Sequence, residues 1–364
     1  MRLLVVQTAH LGDVVLTTPL LCELRRAQPW ATLDVLTTRL GAEVLDGHPA
    51  VGDRLVVDKR GRSWLRSLAH WSRELPRRRY DAVVAAHRSA RSGILVRLTG
   101  AELRVGFARA GGAWAYTARV RRDENVHAAQ RYLELAVPLG GVPASADAIP
   151  RLHPTPGARN RVDRLLEAEG IDRAAKIACV APGSVWPTKR WPAERYSEIV
   201  RRLSANGPRP VLVGAPSETA LCQEVARIAG GALVLAGRTT AADLVALADR
   251  AEVLVCNDSG PGHVAAAVGT PVVAVFGPTS PAAGLVPLGA NVRIVEHPSL
   301  ACRPCGRHGA RRCPAEHFRC MLELTHDEVW RAVEETRRES PVRIAEVRAE
   351  HSTATPQLSS SRIP

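Results

Sequence analysis

The sequence predicts an α/β protein with two doubly wound parallel sheets, and three observations favour this fold. Short apolar runs, typical of buried parallel strands, alternate with segments of helical periodicity along residues 1–335. The order strand, loop, helix, strand occurs at residues 3–38 and again at residues 251–281. A proline-rich segment at residues 142–158 separates the two halves.

The composition is that of a globular protein large enough for two domains. The 364 residues are 46% hydrophobic and carry a net charge of +13, which suits a phosphorylated substrate, an anionic membrane surface or nucleic acid. No apolar run reaches the roughly 18–20 residues of a membrane span, and Gln7, His10 and Asp13 interrupt any signal-peptide core. We therefore expect a soluble cytoplasmic protein.

The first half begins with a predicted strand at residues 3–7, a loop, a helix from residue 14 to 28 and a strand at residues 32–38. The loop has a single glycine, Gly12, so the G-x-G-x-x-G fingerprint of dinucleotide-binding oxidoreductases is absent. Asp13 stands where the strand gives way to the helix. Its carboxylate either caps the helix or acts as a base that takes a proton from a hydroxyl.

The rest of the first half alternates in the same way. A turn and then a strand at residues 48–59 precede a basic helix at 60–79, whose apolar residues share one face: Trp64, Leu68, Trp71 and Leu75. That face either packs on its own domain or docks at a membrane interface. A strand at 80–87 and a helix follow, and then a glycine-rich segment at 104–120 predicts an irregular loop before a helix at 125–139.

The second half starts with a predicted helix at residues 159–169 and a strand at 176–183. This strand leads into SVWPTKRWP, where Lys189 and Arg190 either hold a diphosphate or are ordinary surface cations. Glu218 lies just beyond the next strand. The remaining predicted helices lie at residues 193–205, up to about 229 and at 240–249, with strands at 209–216 and 232–237 between them.

The turn-rich loop NDSGPG at residues 257–262 follows a strand and precedes a helix. Unpaired N–H groups and the helix dipole favour an anion there, and glycine permits close approach to the backbone. Asp258 beside such a loop predicts a ligand with phosphates to seat and hydroxyls to hold, such as a nucleotide sugar. The alternative is that Asp258 and Ser259 simply cap the helix.

Two features of the last hundred residues remain open. Four cysteines cluster near the end of the second half: Cys302, Cys305, Cys313 and Cys320. They permit a structural zinc, but the second pair has C-x6-C spacing, so cysteines without a metal are the other interpretation. From residue 346 onward the chain is polar and without periodicity, which predicts a disordered tail.

Four of these stretches, in this order, resemble glycosyltransferase family 9, the lipopolysaccharide heptosyltransferases. They are LLVVQTAHLGDVVLTTPLL, YDAVVAAHRSARS, PGSVWPTKRWP and NDSGPGHVAAAVGTPVVAVFGPTSP. The resemblance covers about residues 1–335 and is nearest in pattern to the second heptosyltransferase, whose relatives have similar cysteines. It implies the GT-B architecture, with two Rossmann-like domains facing across a cleft. We predict an acceptor domain at 1–158, a nucleotide-sugar domain at 159–335, and a helix end with a tail at 336–364.

The resemblance also implies a role for individual residues. Asp13 is similar to the catalytic base of an inverting displacement. In the second half, the resemblance implies that Thr188 and Lys189 bind the phosphates of the donor and that Glu218 binds its ribose. It implies that Asp258 binds the donor sugar, and that the residues around the diphosphate are Ser259, Gly260, Gly262 and His263. No metal ion or cofactor is implied, so Lys189 and helix amino ends are expected to neutralise the diphosphate.

The function implied by this resemblance is transfer of heptose from ADP-heptose to a lipid-anchored lipopolysaccharide core, with peripheral contact at the inner membrane face. One alternative keeps the fold with another nucleotide sugar or another acceptor. A second alternative is a non-enzymatic, basic nucleic-acid-binding protein. It is disfavoured because the arginines are spread over several helices and no nucleic-acid-binding signature is present.

Overall fold

The computed structural model describes residues 1–58, 61–142, 148–306 and 308–353. Within these ranges the strands form two six-stranded sheets, and every pair of neighbouring strands is parallel. The first sheet contains β1 (Arg2–Gln7), β2 (Thr32–Thr37), β3 (Arg54–Val56), β4 (Ala82–Ala85), β5 (Leu103–Phe107) and β6 (Ala118–Val120). The second contains β7 (Ile177–Ala181), β8 (Arg209–Leu212), β9 (Leu233–Val234), β10 (Leu254–Asn257), β11 (Val272–Phe276) and β12 (Val292–Glu296).

Helices connect the strands of both sheets. In the first half they are α1 (Leu11–Leu16), α2 (Thr18–Ala27), α3 (Arg39–Val44), α4 (Gly61–Arg77), α5 (Ala90–Leu98) and α6 (Ala128–Leu133). In the second half they are α7 (Pro156–Ala168), α8 (Ala193–Ala205), α9 (Thr219–Ala229), α10 (Ala241–Arg250), α11 (Gly260–Ala267), α12 (Arg319–Leu322) and α13 (His326–Thr353). The predicted domain boundary at residue 158 falls within α7 and stays a prediction.

The strand order places a switch point in each sheet. The orders are β3-β2-β1-β4-β5-β6 and β12-β11-β10-β7-β8-β9, so the connections reverse direction between β1 and β4 and between β7 and β10. In open parallel sheets, ligands bind in the crevice beyond the carboxyl ends of the strands at such a point. The central strands are buried on both faces, as their unbroken apolar runs predicted: β1, β7 and β11 have no exposed residue.

The two switch points face each other. Leu11 in α1 lies against Gly260 in α11: a Cβ built on Gly260 would stand 3.0 Å from a Leu11 methyl carbon. A Cβ on Gly12 would stand 2.8 Å from the His263 ring. The predicted pair of doubly wound sheets facing across a cleft is therefore confirmed, and the loops after β1 and β10 meet where the halves touch.

The predicted elements differ from the observed ones where proline or strand pairing intervenes. The helix predicted from residue 14 is two helices, because Pro19 lies in the first turn of α2 and starts a new segment. The glycine-rich segment at 104–120, predicted as a loop, supplies most of β5 and all of β6, since both pair into the sheet. The helix predicted at 125–139 is the short α6 followed by a 3₁₀ helix containing Pro138. Residues 346–353, predicted as tail, continue α13, and residues 354–364 lie outside the described ranges.

The tryptophan face of α4 packs on its own half. Trp64 and Trp71 are only 8% and 6% exposed, and Leu75 is fully buried. They join a core that includes Leu4, Val6 and Val83 beneath the first sheet. The packing alternative is therefore confirmed over the membrane-facing one. Within the described ranges, no helix is both long and apolar enough to cross a bilayer.

Candidate active site

Asp13 lies in the first turn of α1, beside the switch point of the first sheet. The N-cap of this helix is His10, and the cap has no side-chain hydrogen bond, so Asp13 is not its cap. Instead, Asp13 Oδ1 accepts a hydrogen bond of 3.0 Å from the Tyr132 hydroxyl of α6. Asp13 is partly exposed, so a proton on a substrate hydroxyl could reach it.

A nearly buried ion pair occupies the switch point of the second sheet. Lys189 Nζ lies 2.5 Å from Asp258 Oδ2, and each side chain is only 11% exposed. The Thr279 hydroxyl donates to the same carboxylate oxygen at 2.7 Å. The N-cap of α11 is Ser259, which makes no side-chain capping bond. Ser259 thus holds the N-cap position without a side-chain bond, and the Asp258 carboxylate holds an ammonium group and a hydroxyl.

The loop that carries Thr188 and Lys189 is fastened at both ends. Asn257, at the end of β10, accepts a hydrogen bond from Trp191 N at 3.0 Å and donates to Pro182 O at 2.8 Å. This buried amide joins the carboxyl ends of β7 and β10. The Thr188 hydroxyl exchanges two 2.8 Å hydrogen bonds with the backbone N–H and C=O of Ala310. The cysteine-rich segment thus fixes the threonine next to the lysine.

His263, in the first turns of α11, lies between the two halves. Burial lowers the pKa of its imidazole to about 4, although the nearby Asp258 and Asp13 carboxylates act in the opposite direction. The ring is therefore neutral at pH 7 and can both donate and accept a hydrogen bond. Among the described residues, its buried Nδ1 and the buried Ser259 hydroxyl have no hydrogen-bond partner. Both atoms have hydrogen-bonding capacity left for a ligand.

The two glycines at the start of α11 are required by packing. A Cβ on Gly260 would press on Leu11 of the other half, as described above, and one on Gly262 would stand 2.8 Å from the Cys256 sulfur. Glycine at these positions therefore brings α11 close to β10 and to α1. Their predicted place around a diphosphate stays a prediction.

Glu218 lies in a 3₁₀ turn directly after β8, next to the loop that follows β7. Its Oε2 accepts a hydrogen bond of 2.8 Å from Ala215 N. A Cβ on Gly183 would come within 2.2 Å of the Glu218 carboxyl carbon. The carboxylate thus lies over the end of β7, on the same sheet edge as Lys189. Its other lone pairs suit ribose hydroxyls, which stays a prediction.

Tertiary contacts add two residues to the site that sequence reasoning missed. Tyr132 lies in a segment predicted only as a helix, yet its hydroxyl binds Asp13. Thr279 lies in the GPTSP turn after β11, and its hydroxyl binds Asp258. A polar residue just after a parallel strand is a signal that could have found Thr279. No local pattern indicates Tyr132.

The cysteine-rich segment lies against the phosphate-site loop. The Cys305 thiol donates to Cys302 O at 3.2 Å, and Cys320 is buried. A Cβ on Gly309 would stand 3.1 Å from Lys189 Cγ. In the described part of the chain, no group of three or more His, Cys, Asp or Glu side chains is arranged to hold a metal ion. The interpretation of these cysteines without a metal stays a prediction.

Comparison with known proteins shows the family to which the chain belongs. The family model of glycosyltransferase family 9 (heptosyltransferase) matches residues 68–319. Lipopolysaccharide heptosyltransferase 1 of Pseudomonas aeruginosa is 28% identical over 346 residues, which covers 90% of this chain and 92% of that protein. The crystal structure of a family 9 glycosyl transferase from Veillonella parvula superposes with a TM-score of 0.79 at 25% identity, covering 93% of this chain and 97% of the other.

A third similar structure is that of Escherichia coli heptosyltransferase WaaC with ADP. It superposes with a TM-score of 0.72 at 23% identity and covers 92% of this chain and 100% of the other. At that identity the likeness concerns the fold. The family match spans more than half of the chain, and the facing parallel sheets are those of the GT-B architecture. The chain therefore belongs to glycosyltransferase family 9, the heptosyltransferase family, and is a glycosyltransferase.

Proposed function

We propose that this enzyme transfers heptose from ADP-heptose to the inner core of lipopolysaccharide, with inversion at the anomeric carbon. The observation that carries the proposal is that Asp13 and the Lys189–Asp258 pair all lie close enough to His263 to act on its charge. In this arrangement one carboxylate can take a proton, and a cation, a neutral imidazole and a helix N-terminus can bind a diphosphate. The family match and the lipopolysaccharide heptosyltransferase relative support heptose as the sugar, and the fold neighbour solved with ADP supports ADP as the carrier.

The proposed reaction is a single displacement. The acceptor hydroxyl gives its proton to Asp13 as its oxygen forms a bond to the anomeric carbon. The bond from that carbon to the β-phosphate oxygen breaks on the opposite face, and ADP leaves with the electron pair. Negative charge grows on the diphosphate in the transition state, so Lys189 and the amino end of α11 stabilise the departing group.

The donor-binding roles follow from the chemistry of each side chain. Lys189 is paired with Asp258 in this structure, so we infer that it turns to the diphosphate when the donor binds. Asp258 then accepts hydrogen bonds from sugar hydroxyls, with Thr279 keeping its orientation. Ser259 and His263 donate to phosphate oxygens, while Glu218 binds the ribose hydroxyls. Thr188 already donates its hydroxyl hydrogen to Ala310 O, so it contributes to the phosphate site by holding the loop of Lys189.

The acceptor side of the proposal rests on the first half of the chain. Asp13 belongs to this half, and the predicted acceptor domain therefore holds the base. A lipid-anchored acceptor implies work at the inner face of the membrane by peripheral contact, which the net charge of +13 supports. A different nucleotide sugar or acceptor on the same fold is the remaining alternative.

The experiment that tests the proposal combines ligand binding with transfer. A thermal-shift panel with ADP, UDP and GDP is followed by incubation with ADP-heptose and heptose-deficient lipopolysaccharide, with ADP release as the readout. We expect stabilisation by ADP and release of ADP that depends on the acceptor. Stabilisation by UDP or GDP alone would refute the ADP donor while keeping the enzyme class.

Two substitutions assign the roles. Asp13→Asn is expected to lower kcat by about 10²- to 10⁴-fold, with little change in ADP affinity, because the base acts on the acceptor. Lys189→Ala should mainly weaken ADP binding. Its matched control is Lys176→Ala, since Lys176 pairs with Glu252 on the surface of the same half. Equal effects of the two lysine substitutions would remove Lys189 from the donor site.

A further inference from the structure

Tyr132 makes the contact that orients the Asp13 carboxylate. Its hydroxyl lies 3.0 Å from Asp13 Oδ1, although 119 residues separate the two along the chain. Burial and the Asp13 charge raise the pKa of Tyr132 well above the usual value for a phenol. The tyrosine therefore keeps its proton at every physiological pH and is the donor in this hydrogen bond.

A second set of hydrogen bonds holds the backbone of Asp13. The buried Gln7 amide donates to the Thr17 hydroxyl at 2.8 Å, and that hydroxyl donates to the Asp13 backbone carbonyl at 2.7 Å. The Gln7 side chain also lies close enough to the Tyr132 hydroxyl to interact with it. Side chain and backbone of Asp13 are thus connected through one polar network. Such a network restricts the carboxylate to one orientation.

The helix that carries Tyr132 is anchored on the opposite half of the molecule. Ala128 N donates to Gly284 O at 2.8 Å, and Arg131 Nη2 donates to Ala283 O at 3.0 Å. His127 adds a bond of 3.0 Å between Nε2 and Val286 O. These carbonyls lie in the loop after β11, which also contains Thr279. The position of Tyr132 is therefore set by both halves and by the same loop that holds Asp258.

We propose that Tyr132 is a positioning residue for transfer: its hydroxyl holds the Asp13 carboxylate in the orientation that receives the proton of the acceptor hydroxyl. The inference rests on the proposed role of Asp13 as the base. Tyr132 itself touches no substrate in this scheme. A base misplaced by about 1 Å can lower the rate on the order of 10²-fold, so loss of this one hydrogen bond lowers kcat. Because Tyr132 touches no substrate, the affinities for donor and acceptor stay the same.

Tyr132→Phe removes the hydroxyl and keeps the ring. We expect kcat to fall about 10- to 100-fold, while the KM values of donor and acceptor and the Kd of ADP stay within about threefold. The matched control is Tyr116→Phe, since among the described residues the buried Tyr116 hydroxyl has no hydrogen-bond partner. That control should keep wild-type kcat. A rise in KM or Kd that accounts for the loss in Tyr132→Phe, or an equal fall of kcat in the control, would overturn the inference.

A second readout needs no activity. With ¹³C-labelled aspartate, the Asp13 carboxyl resonance is identified by its absence in Asp13→Asn. Tyr132→Phe should displace this resonance, and Tyr116→Phe should leave it in place. If the wild-type enzyme transfers no sugar from any nucleotide sugar, the proposed function fails, whereas the resonance still decides the contact. An Asp13 resonance that Tyr132→Phe leaves unmoved would overturn the inference on its own.

Discussion

The Lys189–Asp258 pair provides the sharpest quantitative prediction. Both side chains are 11% exposed, and the charged atoms are 2.5 Å apart. Two unit charges about 4 Å apart attract by about 4 kcal/mol at an effective dielectric constant of about 20, and desolvation of both groups offsets part of this. When the lysine is removed, the Thr279 hydroxyl still donates to Asp258, and this bond makes the loss of folding free energy smaller. We therefore expect a coupling free energy of about 2–3 kcal/mol, less than the roughly 3–5 kcal/mol that breaking a buried pair can cost.

A double-mutant cycle measures this coupling. The variants are Lys189→Met, Asp258→Asn and the double mutant, and the free energy of unfolding in urea is measured for each. The control cycle uses Lys176→Met and Glu252→Gln, whose side chains are 68% and 27% exposed at 2.7 Å. Solvent screening limits that pair to about 0–1 kcal/mol. Effects that add within about 0.5 kcal/mol at Lys189 and Asp258 would refute a buried ion pair in the unliganded enzyme.

Three other predictions concern the domain contact, pH and metal. Gly12→Ala should lower transfer activity and leave the fold intact, because the added Cβ would stand 2.8 Å from the His263 ring and push the two halves apart. Small-angle scattering measures the separation of the halves, and kinetics measures the activity. Unchanged activity would contradict the prediction. Burial lowers the pKa of His48 to about 4, against 6.5 for a free imidazole. Between these two pH values the unfolded chain binds a proton at His48 and the folded protein does not. The neutral His48 contributes about 3 kcal/mol to the free energy of unfolding above pH 6.5, and this contribution is lost as the pH falls toward 4. Unfolding in urea at several pH values should show the loss, and His48→Gln should make it smaller. EDTA should leave the melting temperature unchanged, and a fall would point to a metal at the cysteine-rich segment.

The sequence alone predicted the fold and the places of most candidate site residues in it. Its apolar runs predicted buried parallel strands, and its βαβ order predicted where each strand ends and each helix begins. Because parallel strands bring their carboxyl ends to one edge, these patterns placed Asp13, Lys189 and Asp258 at sheet edges before any contact was known. The prediction from local residue propensity was wrong for the glycine-rich segment. There β5 and β6 form because neighbouring strands supply their backbone hydrogen bonds.

Only the tertiary structure decided which side chains act on one another. Lys189 and Asp258 are 69 residues apart along the chain, and Asp13 and Tyr132 are 119 apart. The first pair forms because β7 and β10 are neighbours in the sheet, and the second because α6 folds back over α1. The spacing of these residues along the chain predicts neither contact. Sequence therefore supplied the chemical groups of the site, and packing decided which carboxylate faces a lysine and which faces a phenol.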